Sequence, residues 1–193
     1  AGSDYKSVFA VILGTGVGAG FSYDKKIIVG PNKLTGEWGQ NPIPGPMDDY
    51  EKSVKRHCGR IGAIEVFLSG PGLENYYKFI SGSKKTSREI VSLYKENDSF
   101  ANEVMDIYFE RIARSFSTFV NILDPDIIVC GGGMSEIDDI YSEVPKRIIP
   151  YIASNYFLTP IVKAFHGSTS GVRGAAHLWD CLLYTSPSPR DDL

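Results

Sequence analysis

The chain has 193 residues, 42% of them hydrophobic and 22% charged, enough to bury one core and matching one domain or one large lobe. Its formal net charge of −3, with no block of like charges, gives no sign of a polyanion-binding surface, though a local basic patch stays open. No apolar run approaches the roughly 18 residues that span a membrane, and the scattered Cys58, Cys130 and Cys181 argue against a disulfide framework and for a reducing cytoplasm.

The first residues, Ala1-Gly-Ser-Asp-Tyr-Lys6, lack the charged and apolar regions of a signal peptide. The chain opens without an initiator Met, shortly before an apolar run. At the other end, Cys181-Leu-Leu-Tyr-Thr-Ser-Pro-Ser-Pro-Arg-Asp191 resembles an in-frame translation of a transposon-based sequencing adaptor. Residues 1–180 are therefore expected to be the native part, and residues 181–193 a non-native tail that plays no part in the fold.

In chain order, residues 8–13 form a continuous apolar run that predicts a buried strand. The glycine-rich turn at Gly14-Thr15-Gly16-Val17-Gly18 follows, then strands over residues 20–23 and 26–29 joined by Asp24-Lys25, a β-meander. Residues 30–60 are rich in Gly, Pro, Asn and Asp and predict an irregular, site-building loop. Helices are expected over residues 63–68, stopped near Gly70-Pro71, and over 73–80 and 87–95. A longer one is expected over 99–123, where Phe100, Val104, Ile107, Ile112, Phe116, Phe119 and Val120 recur at steps of three and four. Asp124-Pro125 ends it. Residues 126–130 predict a second buried strand running into Gly131-Gly132-Gly133. A helix over 142–153, a strand over 161–165 and a last helix over 171–179 complete a layered α/β unit.

A strand running into Gly14-Thr15-Gly16 is one way to bind phosphate. Glycines allow positive φ and let backbone N–H groups approach an oxyanion, and the Thr15 hydroxyl adds a donor. A plain glycine-rich hairpin turn fits the same residues. No Gly-Lys-Ser/Thr follows, which excludes a Walker loop, and the strand expected next excludes a dinucleotide-binding turn. Gly131 to Gly133 allow either a flat ligand against bare backbone or a tight strand-to-helix turn.

Six stretches occur together in one order: Leu13-Gly-Thr-Gly-Val-Gly18, Gly36-Glu-Trp-Gly-Gln-Asn-Pro42, Cys58-Gly-Arg-Ile-Gly-Ala-Ile-Glu65, Leu68-Ser-Gly-Pro-Gly72, Asn121-Ile-Leu-Asp-Pro-Asp-Ile-Ile-Val-Cys-Gly-Gly-Gly-Met-Ser135 and Ser170-Gly-Val-Arg-Gly-Ala-Ala176. The series resembles the second half of a sugar kinase of the ROK family (repressors, open reading frames and kinases), nearest its fructokinase branch, over about residues 8–179. The resemblance implies the C-terminal lobe of a two-lobed enzyme with an actin-like, ribonuclease-H-like α/β fold. The N-terminal lobe and a catalytic Asp would then lie upstream of Ala1, leaving no catalytic residue here and a lobe nearly inert by itself.

The resemblance also implies roles. Glu37 and Glu65 match carboxylates that accept hydrogen bonds from sugar hydroxyls, charge-assisted bonds that suit O–H donors. Asn41 is a weaker match nearby. Gly14, Thr15 and Gly16 match a phosphate-binding turn, and Gly131, Gly132 and Gly133 an adenosine site. The implied cosubstrates are ATP and Mg²⁺, with no dedicated magnesium site legible in these residues. Two departures stand out. Gln40 occupies a position where the family usually carries His, and Arg56, Cys58 and Ala63 stand where it carries three zinc-binding cysteines. One ligand of four does not make a structural zinc site, so no zinc is expected. His57, adjacent to Cys58, does not restore one, and His166 and His177 match no catalytic position.

The implied activity is ATP-dependent phosphorylation of a hexose hydroxyl, fructose favoured, by a cytoplasmic homodimer without membrane or nucleic-acid partners. The alternatives are a sugar-responsive ROK repressor with DNA-binding helices upstream, and a decayed kinase that binds sugar without turnover.

Overall fold

The computed structural model describes residues 1–56 and 58–167. The expected last helix, His177, the tail from residue 181 and His57 lie outside the described residues.

The fold is built on a five-stranded mixed sheet in the order β3-β2-β1-β4-β5. Strands β1 (Ser7–Leu13), β2 (Val17–Tyr23) and β3 (Lys26–Ile27) form the antiparallel meander. Asp24 and Lys25 turn its second corner, both at positive φ, as a two-residue hairpin requires. The third strand is shorter than the sequence suggests, because pairing stops at Ile27 and only the Ile28 N–H still reaches the Phe21 carbonyl, at 2.9 Å. Strands β4 (Ile127–Gly131) and β5 (Ile161–Lys163) run parallel to β1. Ser7 and Asp126 tie the starts of β1 and β4 together. The Ser7 N–H donates to the Asp126 carboxylate and the Asp126 N–H to the Ser7 hydroxyl, each at 2.8 Å.

Most of the helical structure among the described residues precedes β4. Residues 63–68 contain only the one-turn α2 (Glu65–Leu68), and α3 (Gly70–Ser81) follows after the single residue Ser69. The expected stop at Gly70-Pro71 is instead the first turn of α3. Proline is tolerated there because its missing N–H would have no helical partner, and the Ser69 hydroxyl accepts from the Gly72 N–H at 3.2 Å. Helix α4 (Ser87–Lys95) starts with a capping box between Thr86 and Glu89.

Helix α5 (Ser99–Leu123) is 25 residues long, capped by Asp98 and ended by Asp124 in the left-handed region. Its buried stripe runs through Val104, Met105, Tyr108, Phe109, Ile112, Phe116 and Phe119, whereas Phe100 is exposed. The Phe119 ring stacks on Phe9 of β1, centroids 3.9 Å apart, joining helix and sheet. Burying one such ring contributes about 1.5–3 kcal/mol.

The helix expected over 142–153 is α6 (Ile140–Arg147), followed by a one-turn 3-10 helix at Ile149–Tyr151. Pro145 is accommodated inside α6, whereas Pro150 removes the N–H that a continuing helix would donate, and the chain passes there into the separate turn.

The loop over residues 30–60 is more ordered than its composition suggests. It contains a 3-10 turn at Glu37–Gln40 and helix α1 (Asp49–Ser53), with a capping box between Asp48 and Glu51. A buried ionic cluster locks α1 to α5. Glu51, 1% exposed, accepts from Arg111 at 2.8 Å and Arg114 at 2.5 Å, while Arg111 also reaches Asp48 at 3.1 Å. The Arg111 guanidinium lies 4.1 Å from the centre of the Tyr76 ring, which adds a cation–π contact in a dry setting.

Candidate functional site

Both glycine loops leave the carboxyl ends of neighbouring parallel strands, where Ile12 of β1 is paired with Gly131 of β4. In open α/β sheets ligands bind outside that edge. Gly132 adopts φ +88°, and a Cβ there would lie 2.4 Å from the Leu13 carbonyl oxygen, so no other residue fits without moving β1. The Ser135 hydroxyl donates to the Gly132 carbonyl at 2.7 Å, and the Tyr141 hydroxyl to the Ser135 carbonyl at 2.7 Å. Gly133 is exposed and open above its backbone. Behind the loop, burial pushes the Cys130 thiol up to about 12, which keeps it a packing residue and not a nucleophile.

The first loop folds on itself, the Gly14 N–H donating to the Gly16 carbonyl at 3.0 Å. The Gly70 N–H donates to the Gly14 carbonyl at 2.8 Å, fixing the loop to the start of α3. The backbone N–H groups of Thr15 and Gly16 have no hydrogen-bond partner among the described residues, and Thr15 is exposed. Unpaired N–H groups in a tight turn form an anion cradle. Gly14, Thr15 and Gly133 line one cavity of about 920 Å³ with Glu74, Ser87 and Glu136, a size that fits a small-molecule ligand.

On the other side of the turn, Gly36 and Gly39 press the Glu37–Gln40 turn onto β2. A Cβ on Gly36 would meet the Ala19 carbonyl oxygen at 1.8 Å, and one on Gly39 the Val17 carbonyl oxygen at 2.3 Å. Glu37 is exposed; its N–H donates to the Leu34 carbonyl at 3.1 Å, while its carboxylate has no hydrogen-bond partner among the described residues. Glu37, Gln40 and Asn41 line a second cavity of about 800 Å³, together with Arg60, Phe9 and Phe119. The Asn41 carbonyl accepts from the Ile64 N–H at 2.9 Å, which puts Glu65 one residue beyond that pairing.

Glu65 lines neither cavity; it sits beside the first glycine loop. One oxygen accepts from the Val17 N–H at 3.2 Å and would sit 2.9 Å from a Cβ on Gly16. The other accepts from Arg56, whose Nε and Nη2 are each 3.2 Å away. Sequence reasoning missed Arg56 as a site residue, treating it only as a lost cysteine. Its signal is positional, since Arg56 opens a short hairpin in which its N–H donates to the Arg60 carbonyl at 2.8 Å, and that hairpin faces Glu65. Cys58 at the hairpin tip is exposed. Its thiol is held below the usual range by the backbone of Arg60 and then by Arg56. Among the described residues, no three His, Cys, Asp or Glu side chains gather as metal ligands. His166 lies in the turn after β5 against the Phe165 ring and lines neither cavity.

Known proteins extend this picture. The chain is 39% identical over 179 residues to an N-acetyl-D-glucosamine kinase from Vibrio atlanticus (strain LGP32), covering 91% of this chain but 59% of that protein. A ROK family glucokinase from Streptomyces griseus, solved with glucose and AMPPNP, matches with TM-score 0.79 at 21% identity, covering 92% of this chain and 62% of that one. A ROK family transcriptional regulator homologous to the E. coli MLC protein matches with TM-score 0.67 at 18% identity, covering 83% of this chain and 42% of that one. The mixed sheet and its helices are thus the actin-like α/β arrangement of ROK sugar kinase structures. The family profile described as "ROK family" matches residues 1–181, and the chain therefore belongs to the ROK family.

Proposed function

We propose that the protein carrying this chain transfers the γ-phosphoryl group of ATP to a hexose hydroxyl. The observation that supports this best is the convergence of two glycine loops at one sheet edge, with the Glu65 carboxylate bonded to the residue after the first loop. The nucleotide supplies the phosphoryl group, with Mg²⁺ neutralising its β and γ oxygens. The free N–H groups of Thr15 and Gly16 and the Thr15 hydroxyl hold the phosphates. The exposed backbone of Gly133, held by the turn that Gly132 makes against β1, bounds the nucleoside. Glu37 and Glu65, with Gln40 and Asn41 nearby, accept and orient sugar hydroxyls. No residue of this chain is assigned the role of base; that Asp is proposed upstream of Ala1.

The expected fructose preference finds no support in the comparisons. The 39%-identical relative is an N-acetyl-D-glucosamine kinase, and an N-acetylated hexosamine is the substrate we favour. A regulator shares the fold, so the fold by itself does not choose between kinase and repressor. The unpaired N–H groups of the first loop favour the kinase. The test is ADP release by the full-length protein with ATP and Mg²⁺ across N-acetyl-D-glucosamine, fructose, glucose and mannose. Release that depends on N-acetyl-D-glucosamine supports the whole proposal. Release only with fructose restores the fructose preference, and a folded protein that binds sugar without release is the repressor or decayed-kinase alternative.

A further inference from the structure

We infer that Glu74 sets the nucleotide specificity of this site by accepting hydrogen bonds from ribose hydroxyls with the carboxylate oxygen that the fold leaves free. This rests on the nucleotide reading above and adds a residue to it. Glu74 sits on α3 and lines the cavity that holds Gly14, Thr15 and Gly133. Its Oε1 accepts from the Ser87 N–H at 2.9 Å and the Ser87 hydroxyl at 2.7 Å. Its Oε2 has no partner among the described residues.

A structural duty does not account for that carboxylate in full. Helix α4 is already capped by the reciprocal Thr86–Glu89 box, and Glu74 adds only the Ser87 N–H. The other carboxylate in the cavity, Glu136, is neutralised by Lys163 at 2.6 Å, whereas Glu74 forms no ion pair among the described residues.

The carboxylate is also held in place relative to the phosphate turn. The Ser87 hydroxyl lies 3.3 Å from the Gly70 carbonyl, and the Gly70 N–H donates to the Gly14 carbonyl at 2.8 Å. Gly70 therefore connects the partner of Glu74 to the loop with the free N–H groups. An anionic oxygen at that spot repels phosphate and accepts O–H donors through charge-assisted bonds. The sugar-facing Glu37 lines the other cavity, so the hydroxyls available to Glu74 are those of the nucleotide's ribose.

The experiment is calorimetric binding of ADP and of 2′-deoxyADP to the full-length protein, wild type and Glu74→Gln. Gln keeps an acceptor for Ser87 but turns a donor toward the ribose. The wild type is expected to bind ADP roughly tenfold more tightly than 2′-deoxyADP, the size of one charge-assisted hydrogen bond. Glu74→Gln is expected to bind ADP about as weakly as the wild type binds 2′-deoxyADP. Equal wild-type affinities, or a Gln variant that keeps the preference, overturn the inference. If the Gln variant does not fold, Glu74→Asp, which withdraws the charge by one methylene, must lose the preference in its place. Binding of neither nucleotide overturns the nucleotide reading itself. ADP binding without sugar-dependent turnover sinks the kinase proposal and leaves Glu74 to be judged on the binding data.

Discussion

The Glu65 carboxylate accepts a hydrogen bond from the Val17 N–H at 3.2 Å. Its other oxygen is occupied by Arg56, so one side chain spans the start of β2 and the 56–60 hairpin. A carboxylate held on both sides presents its remaining lone pairs in one direction, as hydroxyl recognition requires.

Arg56 is therefore a positioning residue for Glu65. In the full-length protein, Arg56→Ala is expected to raise KM for the sugar by roughly tenfold, the scale of one charge-assisted contact. KM for ATP should stay within about twofold. Arg56→Lys, which cannot reproduce the two-nitrogen contact, should fall between. Steady-state kinetics against both substrates checks this.

Gly132 and Gly16 are not equivalent. A methyl on Gly132 meets backbone at positive φ, whereas one on Gly16 meets the Glu65 carboxylate end. Gly132→Ala is expected to lower stability, its left-handed φ alone costing about 1–3 kcal/mol. Gly16→Ala should leave Tm nearly unchanged and reduce kcat/KM for the sugar by displacing Glu65. Thermal melts beside kinetics separate the two.

Glu51 compensates two buried guanidinium groups. Glu51→Ala leaves Arg111 and Arg114 without it and is expected to cost about 3–5 kcal/mol. Urea denaturation measures this directly.

The Ser7 N–H and hydroxyl hold the Asp126 carboxyl below the usual carboxylate range. A carboxyl that binds its proton less readily in the fold than in the unfolded chain stabilises the fold above its ordinary range. That contribution is lost as pH falls through the depressed folded value. The wild type should thus lose Tm on acidification more steeply than Asp126→Asn, a difference visible in melts taken between about pH 6 and pH 3.

The parts of the fold written in local sequence are those with a short-range signal. Residues 8–13 and 127–130 are apolar runs that lead into glycine, and both lie within strands. The three- and four-residue steps of α5 mark a helix whose length matches that expected. Other local signals are ambiguous. The Asp48–Glu51 capping box is a standard helix start hidden in a loop-like composition, and Pro71 opens a helix where its ring also suits a stop. Long-range contacts are invisible in sequence. Nothing near Glu51 announces Arg111, although two arginines inside an apolar stripe hint at a buried partner. The glycine loops are legible only as alternatives, and the parallel pairing of β1 with β4 is what brings them to one edge. The Arg56–Glu65 pair and the spare oxygen of Glu74 exist only once the chain is folded.

Steady-state kinetics of Glu65→Gln in the full-length protein, with sugar varied at saturating ATP and Mg²⁺, bears most directly on the sugar site. Gln keeps the size and one acceptor but loses the charge that accepts hydroxyl protons and pairs with Arg56. The expected result is a higher KM for the sugar and a kcat/KM lower by roughly ten- to a hundredfold, with the fold intact. A variant whose response to sugar matches the wild type contradicts the assignment and removes Glu65 from the site.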